Sequence, residues 1–297
     1  MSTYIMKFDY EHANKSVLDY IGFEMPMQSN GSRSLGSFSG DGWSFDNGEL
    51  TVTTRDGTTN WRTGRCTATF TFADVTSLVF GSGATSTGNF AFADCINLTS
   101  VVMPSHVVSI NNEAFANTGL TSVTFSDRLN QINPGAFRNT GLTSITFPDS
   151  LTIVELDAFA NTPWLNSQPD GLVYTGKVAY LWKGSMPPNT SITLKPDTKG
   201  IAGRAFQSQI NLISIEIPES VTNIGLWAFN GSGLTSVEIH SRVTLIHQSA
   251  FSQCANLVAI NVCPNNPLFS GDNYGVLFDK DKTRLVQYPI GNPRNTL

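Results

Sequence analysis

Residues 120–137 read LTSVTFSDRLNQINPGAF, and residues 142–159 repeat the same pattern as LTSITFPDSLTIVELDAF. In the first stretch, the apolar residues Val123 and Phe125 alternate with polar neighbours such as Thr124. Alternation of this kind, rich in β-branched residues, predicts a strand with one buried face. A turn, a second apolar pair and an Ala-Phe pair follow, so each stretch describes one turn of chain.

The same pattern recurs along most of the sequence. Further strands are predicted at residues 98–103, 212–217, 234–239 and 257–262, with a weaker copy at 75–80. The repeat phenylalanines are Phe92, Phe115, Phe137, Phe159, Phe206, Phe229 and Phe251, at intervals of 23, 22, 22, 47, 23 and 22 residues. A period in this range is typical of a solenoid, in which each coil is too short to bury its own apolar face and must stack on its neighbours. We therefore predict a parallel sheet along one side and a ladder of buried phenylalanines on the opposite wall.

Composition limits the function classes. The net charge is −5, the charged fraction is 14%, and the sequence has no basic run, so a surface for nucleic-acid phosphates is not expected. No apolar stretch reaches the roughly 18 residues that span a bilayer, and the N-terminus lacks the pattern of a signal peptide. The four cysteines show no CxxC spacing, and we interpret them as small buried hydrophobic residues.

Taken together, the L-T-S-[IV]-x-[FI]-P run, the V-x-x-I spacing and the Ala-Phe pair resemble the BspA-like leucine-rich repeats of bacterial surface antigens. The resemblance covers roughly residues 75–263. It implies a β-rich, right-handed leucine-rich-repeat superhelix with a parallel sheet on one face. It also implies a place on the cell surface or outside the cell, and a role in adhesion to host proteins or to other microbes.

Interruptions and ends of the repeat suggest further segments. Residues 161–188 contain two strand-like runs around Thr175-Gly176 and predict a β-hairpin insertion. Residues 264–297 predict a second hairpin, whose Asp279-Lys-Asp281 turn lacks the other ligands of a calcium loop. The full division is residues 1–40 (an N-terminal segment of open fold with a Ser/Gly-rich linker), 41–74 (a β cap), 75–160 (repeats), 161–188 (insertion), 189–263 (repeats) and 264–297 (second insertion). Because the sequence stops where another repeat is due, without a polar cap, we expect a fragment or an unfinished stack.

Motifs of catalysis and cofactor binding do not appear in the sequence. It contains no HExxH, GxSxG, P-loop or GxGxxG motif, and the four histidines show no ligand spacing. The sequence therefore predicts a protein that is not an enzyme and that uses no cofactor or metal.

The outward strand residues form the candidate binding face. One column is mostly serine, and the next reads Val102, Thr124, Thr146, Thr193, Glu216, Glu238 and Asn261. An extended sheet face is the usual docking surface of repeat proteins, although serine and threonine also suit any solvated sheet. Candidate aromatic anchors are Trp227, Trp164 and Tyr180, since tryptophan and tyrosine are enriched at binding hot spots; the alternative, which we favour, is that they pack on a neighbouring turn.

Two functional hypotheses remain open at this stage. The first is a recognition module that binds an extracellular protein or glycan through the sheet face or the hairpins. The second is a structural spacer that presents another domain and binds nothing itself. The identity of the ligand and the oligomeric state do not follow from the sequence, because exposed side chains vary without changing the fold.

Overall fold

The computed structural model describes residues 37–40, 43–46, 49–52 and 75–293. The chain divides into two compact units. The first unit comprises residues 1–148 and 157–167, and the second comprises residues 149–156 and 168–297.

The first unit contains eight described strands and one short helix. They are β1 (Ser37–Gly40), β2 (Trp43–Asp46), β3 (Glu49–Val52), β4 (Ser77–Phe80), β5 (Ser100–Val102), β6 (Ser109–Ile110), β7 (Ser122–Thr124), β8 (Gln131–Ile132) and α1 (Pro163–Ser167). Strands β1, β2 and β3 pair antiparallel, and β3 pairs in parallel with β4. Strand β5 pairs in parallel with β7, and β6 with β8. Each coil therefore contributes to two walls, which we call wall A (β4, β5, β7) and wall B (β6, β8).

The second unit repeats this plan with more strands. They are β9 (Ile153–Val154), β10 (Gly171–Thr175), β11 (Val178–Lys183), β12 (Thr190–Thr193), β13 (Gly200–Ile201), β14 (Leu212–Glu216), β15 (Asn223–Ile224), β16 (Ser236–Ile239), β17 (Leu245–Ile246), β18 (Ala259–Val262), β19 (Phe269–Gly271), β20 (Leu277–Asp279) and β21 (Leu285–Gln287). Its wall A holds the parallel pairs β12–β14 and β16–β18. Its wall B runs β11, β13, β15 and β17 in parallel, with β10 antiparallel to β11. The prediction of a β-rich solenoid with parallel sheets is confirmed.

Buried phenylalanines form a ladder inside each unit. In the first unit the ring centroids of Phe92, Phe115, Phe137 and Phe159 follow at 5.0, 5.4 and 5.5 Å. In the second unit Phe206, Phe229 and Phe251 follow at 5.4 and 5.3 Å, with interplanar angles of 4° and 2°. All seven rings are at most 1% exposed. Burying a phenylalanine contributes about 1.5–3 kcal/mol, and stacked aromatic pairs add about 0.5–1.5 kcal/mol.

The alanine before each phenylalanine links one coil to the next. The N–H of Phe115 donates to the carbonyl of Ala136 at 2.8 Å, and the N–H of Phe229 donates to the carbonyl of Ala250 at 2.8 Å. A small residue lets the backbones approach, and the bond satisfies a buried N–H group, as burial requires. The Ala-Phe pair is therefore a hydrogen-bonded rung as well as a packing unit.

Two positions in each coil have a left-handed backbone, one on each side of the ladder. Two residues before the repeat phenylalanine, φ is 49° at Glu113, 63° at Gly135 and 56° at Trp227; two residues after it, φ is 58° at Asn117 and at Asn139. Asparagine tolerates this conformation better than most residues do. In the first unit the asparagines also bond side chain to side chain, Asn139 Nδ2 to Asn117 Oδ1 at 2.6 Å, so the turns form a second, polar ladder.

The 47-residue interval between repeat phenylalanines contains a coil in which a tryptophan makes the backbone hydrogen bond of a ladder phenylalanine, although its side chain is only half-buried. The N–H of Trp182 donates to the carbonyl of Ala205 at 2.8 Å, the same bond that Phe206 makes to Ala228 one coil later. Trp182 lies on β11, which pairs in parallel with β13. The second strand of the predicted hairpin insertion, β11, is thus part of wall B and does not stand apart from the solenoid.

Several local expectations were wrong. Residues 37–40, assigned to a flexible linker, form β1, because pairing with β2 supplies backbone partners that the Ser/Gly composition does not reveal. Residues 142–147, predicted as a strand, form none. The carbonyl of Leu142 instead accepts the N–H of Trp164, from helix α1. The helix itself was not predicted, although its start has a recognisable sequence signal. Thr162 caps it by accepting the N–H of Leu165 on Oγ1, and Pro163 is its first residue.

Candidate partner-binding face

The outward side of wall A carries a column of serines. Ser100, Ser122 and Ser144 are exposed in the first unit, and Ser191, Ser214 and Ser236 are exposed in the second. Pairing aligns Ser100 with Ser122, and Ser191 with Ser214. The Ser214 hydroxyl donates to that of Ser191 at 2.7 Å. This column is flat, because none of its side chains extends beyond one hydroxyl group.

The second column lies two residues further along each strand. Its members in the first unit are Val102, Thr124 and Thr146, and in the second unit Thr193, Glu216, Glu238 and Asn261. All seven are exposed. Within each unit the pairing brings neighbours into register: Val102 with Thr124, Thr193 with Glu216, and Glu238 with Asn261. The structure therefore places each predicted face residue at the surface, while its function stays a prediction.

Charge distinguishes the two faces. The wall A strands of the first unit, β4, β5 and β7, carry no charged side chain. In the second unit, Glu216 on β14 and Glu238 on β16 occupy the same column one coil apart. The Thr193 hydroxyl donates to Glu216 Oε2 at 3.1 Å. Adjacent coils in parallel sheets are about 4.8 Å apart, so the two carboxylates give this face a local negative potential.

Two of the three candidate anchors are buried. Trp164 is 8% exposed and packs edge-on against Phe147 and Phe159, each at 5.4 Å. Tyr180 is 1% exposed, because β11 joins wall B. Their burial contradicts the interpretation of these two residues as partly exposed anchors and agrees with the alternative that they pack inside the protein. Tertiary packing decides their burial, and the local sequence does not show it.

Trp227 is half-buried in the turn that follows β15. The Arg204 guanidinium lies 5.1 Å from the centroid of its ring, within the range of a cation–π contact. Trp227 has φ of 56°, a conformation that is unusual for a large side chain. A role for it in binding stays a prediction.

Exposed aliphatic residues near the face were not singled out from the sequence. Ile210 is 73% exposed just before β14, and Val258 is 44% exposed just before β18. The sequence indicates both positions, since Ile210 repeats the Ile-Asn-Leu run that begins at Ile96. Val258 takes the place that threonine occupies in most other coils. They could add apolar contact to any partner on wall A of the second unit.

Reactive chemistry does not assemble in the described residues. No three His, Cys, Asp or Glu side chains in this part of the chain come together as a metal site. Cys95 and Cys254 are buried free thiols, Cys263 is half-buried, and Cys66 lies outside the described residues. Burial raises the pKa of the Cys95 and Cys254 thiols, which suppresses the reactive thiolate.

The turn at Asp279 is closed by hydrogen bonds within the chain. Its carboxylate accepts the N–H groups of Thr283 and Arg284 at 2.7 and 2.9 Å, and the Thr283 hydroxyl at 2.7 Å. The Thr283 hydroxyl contributes most to lowering the pKa of Asp279. These bonds connect β20 to β21 and account for the aspartate without a bound cation.

Among the residues that the structure describes, no helix has the length and hydrophobicity that a membrane span needs. The one described helix, α1, has five residues.

Comparison with known proteins shows the repeat family. The family described as BspA type leucine-rich repeat region matches residues 66–168 and 180–272, in six copies. None of the curated proteins matches the chain.

Solved structures that resemble the chain include bacterial leucine-rich repeat proteins. One, from Eubacterium ventriosum, is 21% identical over 85% of this chain and 50% of that chain, with a TM-score of 0.30. A second, from Bacteroides ovatus, is 22% identical over 64% of this chain and 56% of that chain, with a TM-score of 0.32. A leucine rich cell surface protein from Faecalibacterium prausnitzii is 21% identical over 86% of this chain and 62% of that chain, with a TM-score of 0.33. The chain thus spans between half and about three-fifths of the length of these structures.

Proposed function

The chain belongs to the BspA type leucine-rich repeat family, and we propose that it is a recognition module of a cell-surface protein. In this proposal it mediates adhesion by binding an extracellular protein or glycan, and it catalyses no reaction. The observation that supports this function best is the exposed second column of wall A, where alternation directs each side chain outward. The surface location rests on family membership.

Shape favours a partner that lies flat. The serine column leaves room for a close backbone approach, and the second column offers side chains of varied chemistry at each coil. A solenoid face of this kind distributes recognition over several coils. Binding energy would then come from a few of these side chains, as in other interfaces.

The experiment is a binding panel with the purified chain. Extracellular-matrix proteins and extracts of microbial surfaces are immobilised, and the affinity of each for the chain is measured. We expect at least one specific partner. If a well-folded chain binds none of them, the proposal is contradicted.

A matched pair of variants locates the site. Glu238→Lys reverses a charge in the second column, whereas Glu219→Lys makes the same change in the exposed turn after β14. We expect Glu238→Lys to weaken binding by at least about tenfold, or about 1.4 kcal/mol, and Glu219→Lys to change it little. Equal effects of the two changes would show that the partner does not use wall A of the second unit, and Thr124→Arg then tests the first unit.

The second candidate is a structural spacer. The uncharged wall A strands of the first unit favour it, because serine, threonine and valine there suit a solvated sheet without any partner. In that case the whole panel fails to bind, and Thr124→Arg changes nothing except surface charge. A partner that is lost with Thr124→Arg would exclude the spacer as the only role of this face.

A further inference from the structure

We draw no further inference here: the strongest candidate, the pair of exposed carboxylates of Glu216 and Glu238 beside the serine column on wall A of the second unit, belongs to the face already described, and nothing in the described part of the structure shows what covers it.

Discussion

The first and second units have the same kind of interior and differ on the outside. In both, phenylalanine rings are stacked at 5.0–5.5 Å, and the N–H of phenylalanines such as Phe115 and Phe229 donates to the carbonyl of the alanine in the next coil. On the outward column of wall A, the first unit presents Val102 and Thr124, and the second presents Glu216 and Glu238. The ladder position must fill the space between two coils, whereas the outward position contacts only its neighbours and solvent. Stability thus constrains the first position and leaves the second free for recognition.

The largest expected effect is the loss of a ladder ring. Phe137 in the first unit and Phe229 in the second each have a ring on both sides. Truncation to alanine leaves a cavity, and we expect each variant to lose about 3–5 kcal/mol of unfolding free energy. Urea denaturation followed by circular dichroism measures the loss. Val102→Ala, at a side chain that is 68% exposed, is the control and should change stability by less than about 0.5 kcal/mol. A large loss in one unit and a small one in the other would show that the two interiors are not equivalent.

The next effect comes from a glycine in the returning turn of each unit. A Cβ on Gly119 would lie 2.2 Å from the carbonyl oxygen of Ile96, and one on Gly233 would lie 2.1 Å from that of Ile210. Since backbone atoms must move, we expect Gly119→Ala and Gly233→Ala each to cost on the order of 2 kcal/mol. Gly271→Ala is the matched control, because its nearest atom would be 3.7 Å away. Thermal unfolding measures the three variants, and equal losses of stability in all three would contradict the expected difference between the two turn glycines and Gly271.

The sequence predicts the interior better than the interruptions. Ala-Phe spacing is enough to infer stacked coils, because the repeat phenylalanines stack on their neighbours within each unit. Trp182 is not a phenylalanine, yet its N–H makes the repeat's backbone hydrogen bond to Ala205. A search for Ala-Phe pairs therefore does not find this coil. Residues 142–147 match the repeat pattern but form no strand, because helix α1 lies where a neighbouring strand would pair with them.

The candidate face is predictable for a related reason. Alternation along a strand is sufficient to direct Thr124, Thr193 and Glu238 outward, and all three are exposed. Burial of Trp164 and Tyr180 depends on which element packs over them, and no local pattern contains that information. The identity of a partner cannot be predicted in this way, because it also depends on the chemistry of the partner's own surface.

Ionisation of a half-buried carboxylate just after β9 gives a third test. Four residues before the repeat phenylalanine, the first unit has Asn111 and Asn133, joined by Asn133 Nδ2 to Asn111 Oδ1 at 3.2 Å. At the equivalent place the second unit has Glu155, whose carboxylate lies over Gly203. Burial raises the pKa of Glu155 above its ordinary value of 4.5, and the charge of His247 opposes the shift. The folded state therefore holds this proton more tightly than the unfolded state does.

The sign of the pH effect follows from that difference. The contribution of Glu155 to stability is fully present below pH 4.5, its ordinary value, and is lost as pH rises through the folded pKa. Glu155→Gln should consequently melt higher than the parent protein at pH 7 and lack this part of the decline. His247→Gln removes the opposing charge, so it should move the decline to higher pH. The raised pKa of Glu155 would be contradicted if the unfolding free energy of the parent protein increased as the pH rises above 4.5 and Glu155→Gln abolished that increase.

The smallest expected effect tests the outward column itself. Glu216 and Glu238 face solvent one coil apart, and like charges at neighbouring positions of a sheet are destabilising by a few tenths of a kcal/mol. Glu238→Gln should therefore raise the unfolding free energy slightly at low salt. The gain should disappear in about 1 M salt, where the screening length is about 3 Å. Thr124→Gln in the first unit has no charged neighbour on its strands and should show no such salt dependence. If Glu238→Gln also weakens partner binding, the carboxylate lowers the stability of the fold and supports binding, as expected of a recognition residue. If the change lowers the unfolding free energy at every salt concentration, Glu238 makes a stabilising contact. The difference between a stabilising interior and a surface free for recognition would then not hold at this position.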